Sequence, residues 1–134
     1  MLTFAATMQN PRKTYPKNEK LKSRTAIAML FDSGTSVTKY PLRLVFAPAD
    51  NSAGVPLQMG VSVSKKYFKR AHDRNYFKRV LRETYRLNQH MLKDAIGKPY
   101  AFMFFYQTKD RLTFEEINAK TIALFEKFAQ QQNQ

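Results

Sequence analysis

The stretch GVSVSKKYFKRAHDRNYFKRVLRETYR, Gly60 to Arg86, decides the fold. Its first residues continue an alternation in which Leu57, Met59, Val61 and Val63 fall on one side and Gln58, Gly60 and Ser62 on the other. That period of two predicts a strand with one buried face. From about Ala71 to Asn88 or slightly beyond the period becomes helical. On a wheel of about 100° per residue, Phe77, Val80, Leu81 and Thr84 gather on one side, and Arg74, Asn75, Lys78, Arg79, Arg82 and Arg86 on the other. Tyr76 and Leu87 border the apolar side. Between Lys65 and Arg86, nine Lys or Arg stand against two acids, Asp73 and Glu83, a net +7 within a chain of formal charge +13.

Cations this dense on one helix face suit a polyanion better than a solvated surface. A solvated face ordinarily mixes signs and gains i,i+4 pairs, whereas Arg74, Lys78 and Arg82 are like charges at that spacing. Neutralising phosphates releases condensed counterions, which drives association with nucleic acid. An anionic membrane surface is the competing partner, but the helix would then have to free the apolar face that the core needs. Asn75, an amide among arginines, is able to donate and accept, and so to bond a 2′-hydroxyl or a base edge; the alternative is a solvated surface residue.

Working outward, a first helix fits Arg24 to Asp32, with Ser23 as N-cap and Gly34 as its stop. A strand follows from about Val37 to Phe46, with a break at Pro41 as the alternative. Asp50 to Pro56 is a turn. Gly97 and Pro99 interrupt the chain before Tyr100–Tyr106, which is apolar on both faces and reads as a central strand covered on both sides. Thr113 and Glu116 form a capping box, and Leu112 with Ile117 a hydrophobic staple, for a last helix running to about Ala129. The expected class is α+β, a compact sandwich with a small central sheet. Residues 1–16 read as a flexible tail and 17–130 as a single domain.

Of 134 residues, none is cysteine, and the sequence pI is about 10.1. Disulfides and cysteine-based metal sites are excluded, and a cytoplasmic protein is expected. The longest apolar run, Tyr100–Tyr106, is far short of the about 20 residues of a membrane helix. His72 and His90 stand apart from paired carboxylates, and no Gly-rich phosphate loop or metal-ligand spacing occurs, so neither catalytic nor metal-binding residues are expected in this chain.

The run Arg74-Asn75-Tyr76-Phe77-Lys78-Arg79-Val80-Leu81-Arg82-Glu83-Thr84-Tyr85-Arg86 resembles the RNR motif of the protein component of bacterial ribonuclease P. Gly60-Val61-Ser62-Val63-Ser64-Lys65-Lys66 and Phe31-Asp32-Ser33-Gly34-Thr35-Ser36 are similar to two further family segments, in the same order. Tyr76 departs from the pattern, standing where the motif has its second arginine. The resemblance implies a fold like domain 2 of ribosomal protein S5, with a left-handed β-α-β crossover through the basic helix. It implies a non-catalytic subunit that assists a catalytic RNA in removing the 5′ leader from precursor tRNA. Mg²⁺ would be bound mainly by that RNA and none tightly by the protein, one copy of a monomeric protein per RNA. By position, Lys65, Lys66, Arg74, Asn75, Lys78, Arg79, Arg82 and Arg86 would contact the RNA subunit. Ile27, Phe31, Arg43 and Val45 would line a cleft for the leader; from pattern alone Ile27, Phe31 and Val45 read rather as ordinary core, and the resemblance brings the cleft reading level with it. A structural RNA-binding protein, such as a ribosomal protein, is the alternative function.

Overall fold

Among the described residues, four strands form one mixed sheet in the order β1-β2-β4-β3: β1 (Thr35–Lys39), β2 (Leu42–Pro48), β3 (Leu57–Val63) and β4 (Tyr100–Tyr106). Two long helices follow β3 and β4, namely α1 (Ala71–Lys93) and α2 (Phe114–Gln132). The computed structural model describes residues 19–21, 27, 30, 32, 34–49 and 57–132. The expected tail, the Ser23 cap, Phe31 and the Asp50–Pro56 turn lie outside those residues.

The segment expected as one strand from Val37 to Phe46 is two. It reverses at Tyr40–Pro41, a cis peptide, and Lys39 then pairs with Leu42 across the hairpin. Proline has no N–H to give a sheet ladder and its ring fixes φ, so the break falls where sequence allowed it. β2 pairs antiparallel with β4, and β3 pairs parallel with it, so α1 is the crossover of a β-α-β unit.

β4 is central, as its two apolar faces predicted. Tyr100, Phe102, Phe104 and Tyr106 join the core beneath α1 and α2, where Phe46 meets Phe128 edge-on at 4.7 Å. Ala101 and Met103 face the other way, into a second cluster with Leu21, Leu30 and Val45, and Ile27 packs against it. Ile27, Leu30 and Asp32 are helical, and the Gly34 amide donates to the Leu30 carbonyl at 2.7 Å. A Cβ on Gly34 would sit 2.2 Å from that carbonyl oxygen, which is why a glycine closes this turn.

α1 runs five residues beyond Asn88. Its inner face continues through Gln89 and Leu92, both buried, and Asn88 donates to the Thr84 carbonyl and to Asn118 Oδ1 of α2, each at 2.8 Å. Polar residues here serve the helix interface, which the hydrophobic period did not register. α2 ends at Gln132 rather than Ala129, and Gln132 accepts a hydrogen bond from the Tyr100 hydroxyl at 3.2 Å. Its start is as expected: Thr113 Oγ1 accepts from the Glu116 amide at 3.1 Å, and Glu116 Oε1 from the Thr113 amide at 2.9 Å. Among the described residues no helix is long and apolar enough to cross a membrane.

Residues 19–21 extend the domain at the β3 edge. Lys20 bridges Met59 in parallel and the Leu21 amide donates to the Met59 carbonyl at 3.0 Å. Buried Glu19 accepts from Lys93 Nζ at 3.0 Å, which ties this segment to α1.

Candidate nucleic-acid interface

The basic turn between β3 and α1 is held by its own backbone and by one arginine. The Ser64 carbonyl accepts from the amides of Tyr67 and Phe68, at 3.1 and 3.3 Å, and Ser64 Oγ from the Lys66 amide at 3.0 Å. Arg74 Nη1 donates to the carbonyls of Phe68 at 3.0 Å and Lys69 at 2.8 Å. Phe68 stacks on Phe77 at 4.7 Å, and Phe77 on Tyr106 at 4.6 Å, so the turn is anchored in the core from below. Arg74 therefore shapes the turn as well as charging it.

Arg86 departs from the expectation of an unpaired cationic face. Its guanidinium forks onto Glu83, Nε to Oε1 at 3.0 Å and Nη2 to Oε2 at 2.6 Å. The hydrogen bonds from Arg86 hold the Glu83 carboxyl below its ordinary value of 4.5, and the same bonds raise Arg86. On the wheel Glu83 lies outside the basic arc, but the long arginine side chain spans i,i+3. The first-turn acid, Asp73, is likewise engaged, by Arg111 Nη1 at 3.2 Å. That guanidinium also lies over the rings of Phe77, at 5.3 Å, and Phe68, at 5.8 Å.

Eight of the nine cations remain without a carboxylate partner among the described residues: Lys65, Lys66, Lys69, Arg70, Arg74, Lys78, Arg79 and Arg82, of which Arg74 is held by backbone carbonyls instead. Arg74 and Lys78 are half-buried and the other six exposed, and Lys66 Nζ lies 5.6 Å from the Tyr67 ring centre. Lys69 and Arg70 belong to this surface although they fall outside the motif pattern; their signal was the charge count of the turn. Asn75 is exposed beside them. Tyr76 is 42% exposed, its ring edge-on to Phe77 at 5.0 Å, so the residue replacing an arginine presents an aromatic surface.

Of the positions expected to line a leader cleft, Arg43 and Val45 lie on the sheet face opposite α1 and Phe31 lies outside the described residues. Arg43 and Val45 share that face with Phe105 and Met103, their register partners on β4. Val45 is buried at 4% exposure, whereas Arg43 and Ile27 are half-buried. A cavity of about 180 Å³ opens beside them, lined by Leu21, Ile27, Gly60 and Met103 and by the cations Lys20 and Arg82. An added Cβ on Gly60 would stand 2.5 Å from Met103 Sδ, so the flexible Met103 side chain would have to shift to admit it. The cavity joins the cleft position Ile27 to the basic-helix position Arg82, two sets that sequence reasoning kept apart.

His72 is exposed, with Nδ1 3.8 Å from Asp73, and His90 is exposed at the far end of α1. Among the described residues no group of three or more His, Cys, Asp or Glu is placed to hold a metal ion.

A family model described as Ribonuclease P matches residues 15–129. The ribonuclease P protein component of Porphyromonas gingivalis is 40% identical over 98 residues, 72% of either chain. That of Chlorobaculum tepidum is 32% identical over 85 residues, 61% of this chain and 55% of its own. Among solved structures, the Staphylococcus aureus RNase P protein superimposes with a TM-score of 0.66 at 18% identity, over 82% of this chain and 94% of that one. The Thermotoga maritima RNase P protein gives 0.65 at 23% identity, over 81% and 96%. At such identities these two likenesses speak for the fold alone.

Proposed function

The chain belongs to the ribonuclease P protein family, a protein component of that tRNA-processing endoribonuclease and partner of its RNA subunit, and on that premise we propose how its surface serves the complex. The turn and outer face of α1 bind the RNA subunit through Lys65, Lys66, Arg74, Asn75, Lys78, Arg79 and Arg82, with Lys69 and Arg70 added. Arg86 acts there with its charge partly offset by Glu83. The observation that carries this reading is the set of eight cations left without carboxylate partners among the described residues, on a surface anchored to the core. Placing such charges between two RNAs lowers their mutual repulsion, and with it the demand for free metal ions.

The RNA subunit performs the hydrolysis, and the Mg²⁺ ions it holds supply the Lewis-acid chemistry of the phosphodiester. This chain binds and orients. Its acids nearest the interface, Asp73 and Glu83, are engaged by Arg111 and Arg86. The sheet face carrying Arg43 and Val45, with Ile27 and Phe31 from the preceding segment, takes the single-stranded 5′ leader of precursor tRNA. There Arg43 meets a phosphate, and apolar side chains meet bases. One protein acts per RNA, in the cytoplasm.

Reconstitution tests this. Added to the cognate RNA and precursor tRNA at low Mg²⁺, the protein raises leader cleavage, and no stimulation would refute the reading. The holoenzyme binds leader-bearing tRNA more tightly than leaderless tRNA; equal affinity would remove the leader assignment alone.

A further inference from the structure

Lys39, Leu42, Tyr106 and Val63 form one register row across all four strands. The segments that continue past this row share one edge of the sheet: the β1–β2 turn, residues 107–112 after β4, and the basic turn after β3. With strands about 4.8 Å apart, the edge runs roughly 14 Å from basic turn to hairpin. Contacts knit it together. The Gln107 amide donates to the Pro41 carbonyl at 2.8 Å, and Arg111 reaches across to Asp73 of α1 at 3.2 Å.

At the hairpin end stands Tyr40, 67% exposed. An exposed tyrosine ring is ordinarily free to rotate, but this one is tethered: its hydroxyl donates to Thr108 Oγ1 at 3.2 Å. Thr108 is itself buried, and its Oγ1 also accepts from the Asp110 amide at 3.1 Å. One end of the ring is thus fixed while most of its surface stays in water. Lys39 precedes it and Lys109 follows its anchor, both exposed and neither with a carboxylate partner among the described residues. Asp110 is the exposed acid in this neighbourhood, and Asp73 is already matched by Arg111. A preset ring between cations is the arrangement with which proteins hold unpaired nucleotides, the ring stacking on a base and the cations on its phosphates.

We infer that the β1–β2 turn is a second contact for the RNA subunit, in which Tyr40 stacks on an unpaired base and Lys39 and Lys109 meet the flanking phosphates. The inference rests on the basic-helix reading, because continuity with the turn Lys65–Arg70 is what assigns this edge to the RNA subunit rather than to the leader.

The test titrates full-length protein with the RNA subunit alone, comparing Tyr40→Ala, Tyr40→Phe, Lys109→Ala and Arg79→Ala. Loss of one stacked base weakens binding by about tenfold in Tyr40→Ala, while Tyr40→Phe, which keeps the ring but loses its tether to Thr108, falls between Tyr40→Ala and the parent. Lys109→Ala lowers the magnitude of the salt slope by about one. Parental binding by both Tyr40→Ala and Lys109→Ala, with Arg79→Ala weakened, overturns the hairpin contact and leaves the helix reading intact. A silent Arg79→Ala as well overturns both. A defect that emerges only with leader-bearing tRNA overturns the assignment to the RNA subunit. Tyr40 and Lys109 are exposed, so their truncation leaves the core packing in place.

Discussion

Arg86 is forked onto Glu83 by two hydrogen bonds, at 3.0 and 2.6 Å, while Arg79, on the same helix, has no carboxylate partner among the described residues. The motif arginines are therefore unequally available to an outside anion.

If about six phosphates are neutralised, the logarithm of RNA affinity falls with that of salt at a slope of roughly −4 to −5. Arg79→Ala and Arg82→Ala each reduce that magnitude by about one. Arg86→Ala reduces it by less, and Glu83→Gln steepens the slope by releasing the Arg86 charge. Salt titrations of RNA-subunit binding check all four, and a Glu83→Gln slope equal to the parent's would contradict the inequality.

The Glu83–Arg86 pair also sets a small acid dependence. Because the folded carboxyl is depressed, its contribution is present above the ordinary value of 4.5 and is lost as pH falls through the folded value. The pair is partly exposed and screened by solvent, so about 0.5 kcal/mol at most is at stake. Urea unfolding between pH 3 and 7 should show a slightly shallower acid limb in Glu83→Gln.

Arg74 has two tasks that substitution separates. Arg74→Ala lowers the salt slope by about one and also releases the Phe68 and Lys69 carbonyls. The amides of Tyr67 and Phe68, which bond to the Ser64 carbonyl, then exchange faster with solvent. Amide exchange and RNA titration on the same variant read the two effects, and unchanged exchange would show that the turn stands without this arginine.

Tyr106 governs the alkaline side. Burial raises its hydroxyl above the ordinary value of 10.0, partly opposed by the hydrogen bond from the Leu112 amide. The raised folded value makes stability complete below about pH 10 and progressively lost as pH climbs from there through the folded value, because only the unfolded chain ionises readily. The hydroxyl also donates to the Asp110 carbonyl. Tyr106→Phe costs about 1–3 kcal/mol near neutrality by stranding these partners, and it flattens the alkaline limb. Denaturant midpoints from pH 8 to 11 measure both.

Thr113→Ala opens the capping box and costs about 1 kcal/mol. Because α2 carries none of the proposed RNA ligands, the variant keeps parental affinity for the RNA subunit; a changed affinity would place α2 in the interface.

The elements were legible where one physical signal dominated. The alternation of Leu57–Val63, the two apolar faces of Tyr100–Tyr106 and the Thr113–Glu116 box each marked structure through a local period or a reciprocal hydrogen bond. The extension of α1 to Lys93 was missed because Asn88 and Gln89 are buried as hydrogen-bonded polar residues, which a hydrophobic period counts as solvent-facing. For the cleft, pattern alone favoured core at Val45 and only the resemblance brought the cleft reading level; at 4% exposure it is packed.

The sequence by itself determined the element types, the central position of β4 and the concentration of charge around α1, since these follow from side-chain period and composition along the chain. Tertiary structure alone decided which cations stay available. Arg86 turns to Glu83 within one helix, Arg74 folds back onto the preceding turn, and Arg111 arrives from beyond β4 to neutralise Asp73. Charge adds up along a sequence, but pairing depends on distances of a few ångströms that only the packed chain sets.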